Sequence, residues 1–215
     1  MKVFAEYFEL DGLSYRRNTL LQFGKGWNLI GNVVLANPGS AEPLMKISKQ
    51  NFGLISGFYD ENRFDEQPMC DWWYEFSVDS TMGFIEKLFN GWYLAKTQSL
   101  DGVIQLFNTF NLKNQNIHEA IEKTSSSSEF MFSENIYTRF NDKPTYFGFG
   151  KDVLKNHYLH NVAENIFVNS SKKIRTIYKR KFSENHFYHP MYVNRAYKQA
   201  HFKKYKNEVL SKLIV

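Results

Sequence analysis

Apolar positions along this chain switch between a two-residue period and one of roughly 3.6 residues, and the switches mark out its elements. Residues 4–23 ("FAEYFELDGLSYRRNTLLQF") are two β-rich runs around Asp11-Gly12, a dipeptide of tight hairpins. Leu29, Ile30, Val33, Val34 and Leu35 are apolar and almost uncharged, which predicts a buried strand over residues 29–36. Residues 42–56, punctuated by Gly53 and Gly57, read as helix or loop. Residues 58–73 ("FYDENRFDEQPMCDWW") read as a polar, turn-rich surface excursion.

From residue 79 or 80 to about 92 the period is helical, with Phe84, Ile85, Leu88 and Phe89 on one face and Gly91 near the end. A second strand is expected over residues 102–112, a short helix over 116–123 and a flexible loop over 125–128. "PTYFGFG" (residues 144–150) reads as a third strand and residues 151–168 as a helix. Residues 173–181 ("KIRTIYKRK") place Ile174, Thr176 and Tyr178 on one face and Arg175, Ile177 and Lys179 on the other, which predicts a fourth strand. A last helix is expected over residues 194–213. Strand and helix alternate four times after the hairpin, so the expected fold is α/β. It is a three-layer sandwich with a central, mostly parallel four-stranded sheet, plus the N-terminal hairpin.

A ligand on such a sheet lies along the carboxyl edge, in the loops after the strands. In order, those loops carry Asn37-Pro38-Gly39-Ser40, then Asn108-Thr109, then Gly148-Phe149-Gly150, then His189-Pro190-Met191. Pro38 fixes one φ, Gly39 permits others, and the small side chains let a ligand approach the backbone.

Composition narrows the setting. A chain of 215 residues that is 43% apolar and 17% aromatic suits one packed domain, residues 1–215. The lone Cys70 cannot form an internal disulfide, and it excludes an all-cysteine zinc site or a four-cysteine iron–sulfur cluster. "MKVFAEYFELDG" lacks the apolar core of a signal peptide, and no run reaches the ~18–20 apolar residues of a membrane span. A cytoplasmic monomer without membrane contact, cofactor or bound metal is expected. His157 and His160 have a spacing a metal could use, but no third ligand accompanies them.

Charge adds a partner. The net charge is only +5, yet residues 172–206 hold eleven Lys or Arg against one acid, Glu184. Tyr178, Phe182, Phe187, Tyr188, Tyr192, Tyr197, Phe202 and Tyr205 are interleaved with them. Basic groups mixed with flat rings suit nucleic acid. Against that stands a solvated basic helix whose rings face the core.

The four loop motifs, in this order, resemble those of the uracil-DNA glycosylase superfamily. "ANPGSA" is similar to its first motif in the Asn-Pro-Gly form, "LFNTF" to the strand whose terminal Asn reads the extruded base, and "YFGFG" to the next strand. "FYHPMYVNRAY" is similar to the His-Pro motif and the loop that enters the duplex. The arrangement also resembles a bacterial and phage family that carries an Asn-Pro-Ser motif near the start and His-Pro-Leu-Tyr near the end, and within it an anti-phage member that removes glucosylated hydroxymethylcytosine from phage DNA. Met191 and Tyr192 stand where typical members have Ser-Pro, and the front hairpin is an addition.

The resemblance implies a uracil-DNA-glycosylase-like fold and a monofunctional glycosylase acting on a modified pyrimidine in double-stranded DNA. Such an enzyme flips the nucleotide out of the stack, then needs a placed water and donors for the leaving base. Asn37 would hold the water without taking its proton, and His189 would hydrogen-bond the base oxygen. Asn108 would read the base edge, since an amide offers both donor and acceptor. Pro38, Gly39, Ser40 and Pro190 would shape the pocket. Phe52, or Phe58 in its place, would stack on the base, and Glu42 is the acid nearest the first motif. Met191 and Tyr192 would fill the hole in the duplex, while Arg195, Lys198, Lys203 and Lys204 would hold phosphates. Two other readings compete: a hydrolase of free nucleosides or nucleotides, which needs no basic stretch, and a module that reads a modified base without cutting it.

Overall fold

The computed structural model describes residues 1–125 and 128–215, so part of the loop expected over residues 125–128 lies outside the described residues. The chain folds as α/β: among the described residues, one seven-stranded mixed sheet is accompanied by eight α-helices and short 3-10 turns. None of these helices is long and apolar enough to cross a membrane.

The hairpin forms as expected. Strands β1 (Lys2–Leu10) and β2 (Leu13–Phe23) pair antiparallel, and Asp11 and Gly12 both take positive φ at the turn (52° and 73°). A two-residue loop needs that backbone if its twist is to match the strands. The hairpin is not an appendage, however. The strands β3 (Leu29–Leu35), β4 (Pro43–Lys46), β5 (Trp73–Phe76), β6 (Gly102–Asn108) and β7 (Thr145–Gly148) join it in the order β4-β5-β1-β2-β6-β3-β7. Only β6, β3 and β7 run parallel; β2 meets β6 antiparallel. The expected four-stranded, mostly parallel sheet is therefore corrected to a mixed sheet whose hairpin is central.

Two corrections concern the basic region. Residues 173–181 form no strand: α6 (Lys172–Arg175), capped by Ser171, runs into a turn. Ile174, Ile177 and Tyr178 are the buried residues, spaced three and four apart, and that helical spacing prevailed over the equally readable alternation. The helix expected over residues 194–213 is broken into α7 (Pro190–Ala196) and α8 (Lys203–Glu208), flanked by 3-10 turns. Likewise, the helix expected over 151–168 divides into α4 (Lys151–Lys155) and α5 (His157–Asn169), because the Asn156 side chain accepts the Leu159 N–H at 3.0 Å and starts a new helix. The remaining helices are α1 (Lys49–Asn62), α2 (Ser80–Phe89) and α3 (Ile117–Glu122). Helix α1 begins in the stretch read as helix or loop and runs on into the expected surface excursion as far as Asn62, and strand β5 starts at the last residue of that excursion, Trp73.

Alternate strand residues feed two cores. Phe4, Leu20 and Val103 pack with Ile55, Phe58 and Tyr59 of α1. Their neighbours Val3, Ala5, Leu21 and Ile104 join the larger cluster that includes Met82, Ile85 and Leu88 of α2 and Val193 of α7. The main-chain register then sets the site. Leu35 pairs with Asn108 on one side and with Gly148 on the other, so the three parallel strands end at one level.

Candidate active site

The loop after β3 is clamped onto the segment after β6. Leu35 O accepts both the N–H and the hydroxyl of Thr109, at 2.8 and 2.9 Å. Phe110 N donates to Ala36 O at 3.2 Å, and Asn114 N to Pro38 O at 3.2 Å. Asn37 completes the clamp: its Nδ2 donates to the carbonyls of Asn114 (2.8 Å), Pro38 (3.0 Å) and Leu112 (3.3 Å). Three carbonyls fix the amide's orientation. They leave Oδ1 as its unengaged atom, an acceptor that can hold a water but cannot deprotonate it.

His189 is the N-cap of α7, with Pro190 buried at the first helical position. Its approach is pinned by the Tyr146 hydroxyl, which donates to Tyr188 O, and by Gly150 N, which donates to Phe187 O at 3.1 Å. The His189 Nδ1 accepts the Met191 N–H at 3.3 Å, so a neutral ring carries its proton on Nε2. Burial holds its pKa below the usual histidine value, against the opposing pull of the Asp79 carboxylate.

Both groups line one cleft of about 540 Å³ at the carboxyl ends of β3, β6 and β7. Gly39, Ser40, Asn108, Met191, Tyr192 and Arg195 line it as well. Asn108 is buried, and its Nδ2 has no hydrogen-bond partner. Met191 and Tyr192 are 38% and 42% exposed beside the cavity. A Cβ built on Gly39 would meet only Asp79 Oδ2, at 3.7 Å, so this wall stands open.

Other expected residues lie elsewhere. Phe52 packs against the α1 cluster, and Phe58 is buried within it. Neither lines the cleft, because α1 covers the other core. Pro38 and Pro190 are buried and hold backbone in place rather than lining the cavity. Glu42 is ion-paired with Lys113 at 2.7 Å, outside the cleft. Lys198, Lys203 and Lys204 are exposed beyond it, Lys204 lying 3.8 Å from Glu208. Most rings of the basic stretch (Tyr178, Phe182, Phe187, Phe202 and Tyr205) are core, Tyr188 and Tyr197 are half-buried, and Tyr192 is exposed. His160 Nδ1 sits 4.0 Å from Glu164, and among the described residues no three His, Cys, Asp or Glu gather as metal ligands would.

Phe149, from the third of the expected loops, lines the cleft, and the structure adds lining groups that the sequence did not single out: Arg16, Asp79, Lys151 and Asp152. Asp79 was legible as the start of α2, whose Met82 N–H its Oδ1 accepts at 3.0 Å. Its place beside Gly39 and His189 depends on how α2 packs against α7. Arg16 sits in the middle of a strand, where no local signal tells which side it faces.

A scan against protein-family models, a search of curated proteins and a search of solved structures each return no match to this chain.

Proposed function

We propose that this protein is a monofunctional DNA glycosylase that hydrolyses the N-glycosidic bond of a flipped-out modified pyrimidine, with a uracil-DNA-glycosylase-like placement of its motifs. One observation carries the reading. Asn37 offers a fixed, unengaged acceptor and His189 a neutral ring with Nε2–H free, across one cleft that Asn108 also lines.

In this reading the bond from C1′ of the sugar to the base breaks with its electron pair going to the base. His189 Nε2–H and the Asn108 amide hold the oxygen-bearing edge that becomes negative. A water on Asn37 Oδ1 then adds to the sugar carbon and sheds its proton after the base has gone, since Asn37 is no base. The Asp79 carboxylate beside Gly39 adds negative charge where the sugar becomes positive. Met191 and Tyr192, exposed at the cleft, occupy the space that the flipped nucleotide leaves. Arg195 and Lys151 are the nearest partners for phosphates, with Lys198, Lys203 and Lys204 on the adjoining surface. A defence role against phage carrying modified cytosine fits the open wall at Gly39.

The test is to incubate plain and C5-modified duplex DNA with the protein and then heat in alkali. A glycosylase leaves abasic sites that break; a nucleoside hydrolase or a non-cutting reader leaves the strands intact.

A further inference from the structure

One side chain in the cleft wall has no part in the reaction above. Arg16 is fully buried, and its Nε and Nη1 have no hydrogen-bond partner. Its guanidinium carbon lies 5.4 Å from the centre of the Phe76 ring, and the residue lines the cleft. The chain's other buried guanidinium is treated differently. Arg139 donates to Asn18 Oδ1 at 2.8 Å, to the Tyr59 hydroxyl at 2.9 Å and to Glu66 at 3.2 Å, leaving only Nε without a partner. Asp79 and Glu42 act on Arg16 through space, and among the described residues no ion pair joins it to either. Burial pulls its pKa down to about 10, so it remains a cation at neutral pH.

A buried charge without a partner is costly, and guanidinium offers donors only. The same cleft holds a second unpartnered donor, Asn108 Nδ2. These three nitrogens lie behind the cleft wall, each with under 1 Å² of accessible surface, so the guanidinium meets the cleft through Nη2. An unpaired positive charge just behind a cavity wall is complementary to one ligand chemistry: an anionic, acceptor-rich edge.

We propose that Arg16 is a binding residue of the cleft whose Nη2, beside Asn108, receives the acceptor edge of a pyrimidine carrying negative charge. The identity of the ligand rests on the glycosylase reading, whereas recognition of an anion by Arg16 stands without it. When the glycosidic bond breaks, its electron pair becomes the charge of the departing base, and Arg16 stabilises that charge without giving up a proton. The neutral His189 supplies a hydrogen bond, and Arg16 supplies the positive charge.

The probe is barbiturate, a pyrimidine that is anionic at neutral pH, compared with neutral uracil. Wild-type protein should bind barbiturate more tightly than uracil by about 10-fold or more, the scale of a hydrogen bond to a charged group. The Arg16 Nε–H resonance should shift on addition of barbiturate. Arg16→Gln should abolish the preference, and Arg16→Lys should retain part of it. Equal binding of the two probes by wild type, or a preference that survives in Arg16→Gln, overturns the proposal. If Arg16→Gln fails to fold, the wild-type resonance and the Arg16→Lys titration decide. Barbiturate binding through Arg16 without any cleavage of DNA would uphold the anion site and remove the glycosylase reading. Cleavage of DNA with an unmoved Arg16 resonance would remove the anion site alone.

Discussion

The imidazole Nδ1 of His189 accepts the backbone N–H of Met191 at 3.3 Å, and this contact decides what the ring can do in the cleft. It fixes the neutral tautomer with Nε2–H as donor. Protonation would put a second N–H on Nδ1, facing the Met191 donor. Burial opposes that charge and lowers the pKa below the ordinary histidine value.

Cleavage should therefore be level at neutral and mildly alkaline pH and fall on the acid side, as the ring charges. Stability follows the same sign. The unfolded chain takes up its proton near ~6.5 and the folded one only lower, so this contribution is complete above that pH and is lost as pH falls. His189→Gln should remove the acid limb from the pH dependence of stability and reduce cleavage by about 10²-fold. An acid limb of unchanged height in the variant would mean that another group titrates there.

Asp79 has two separable jobs. As N-cap of α2 it accepts the Met82 N–H through Oδ1, while Oδ2 faces the space beside Gly39. Asn caps as well as Asp does, and Ala does not, at a cost of about 1 kcal/mol. Asp79→Asn should thus keep wild-type thermal stability yet lose cleavage, whereas Asp79→Ala should lose both. Full cleavage by Asp79→Asn would reduce Asp79 to a cap.

How much of this the sequence disclosed follows from the range of each signal. The Asp11-Gly12 turn, the strand ending at Leu35 and the helix starting after Asp79 rest on local pattern and are present as expected. Asn37 and Asn108 were legible because strand ends are punctuated by turn residues, whereas His189 follows no strand and stood out only through the His-Pro pair that starts α7. The false strand over residues 173–181 shows the limit. Ile174, Ile177 and Tyr178 fit a helical turn as well as an alternating strand fits its neighbours, and only tertiary burial decides between them. Phe52 failed for a longer-range reason: α1 packs on Phe4, Leu20 and Val103, the face away from the cleft. Arg16 and Asp79 enter the cleft only because β2 is central and α2 packs on α7, relations that no short motif encodes.

Asn37 gives a prediction of unusual sign. Its Nδ2 serves three backbone carbonyls, the shortest contact being 2.8 Å to Asn114 O. A carboxylate in its place would bring a negative oxygen against those carbonyls and remove every donor. Asn37→Asp, although it introduces a base for the water, should lower the melting temperature and cleave no better than Asn37→Ala. Both should fall by about 10²-fold or more, the loss expected for a preorganised polar group. A rate gain in Asn37→Asp, measured on the same modified duplex, would show that the amide clamp is dispensable.

Gly39 bears on which base is released. In strict uracil enzymes of the superfamily that the motifs resemble, a Tyr at this place walls off the C5 side of the pyrimidine. Here a Cβ would find only Asp79 Oδ2 at 3.7 Å, and the residue's φ lies outside the left-handed region that favours glycine. A Tyr is therefore compatible with the backbone, and its ring would have to occupy the cleft. An apolar wall discriminates by only about 1–3 kcal/mol per methylene-sized difference, but a substituent as large as a sugar would be excluded outright, along with any hydrogen bonds it makes. Gly39→Tyr should keep the melting temperature within a few degrees of wild type. It should cut release of a bulky C5-substituted pyrimidine by about 10²-fold or more and spare plain uracil. The measurement is a pair of single-turnover rates, bulky against plain base, for wild type and variant. If the two rates fall together, Gly39 matters for the backbone turn rather than for space, and if wild type releases plain uracil while ignoring every C5-substituted base, the open wall is not a substrate pocket.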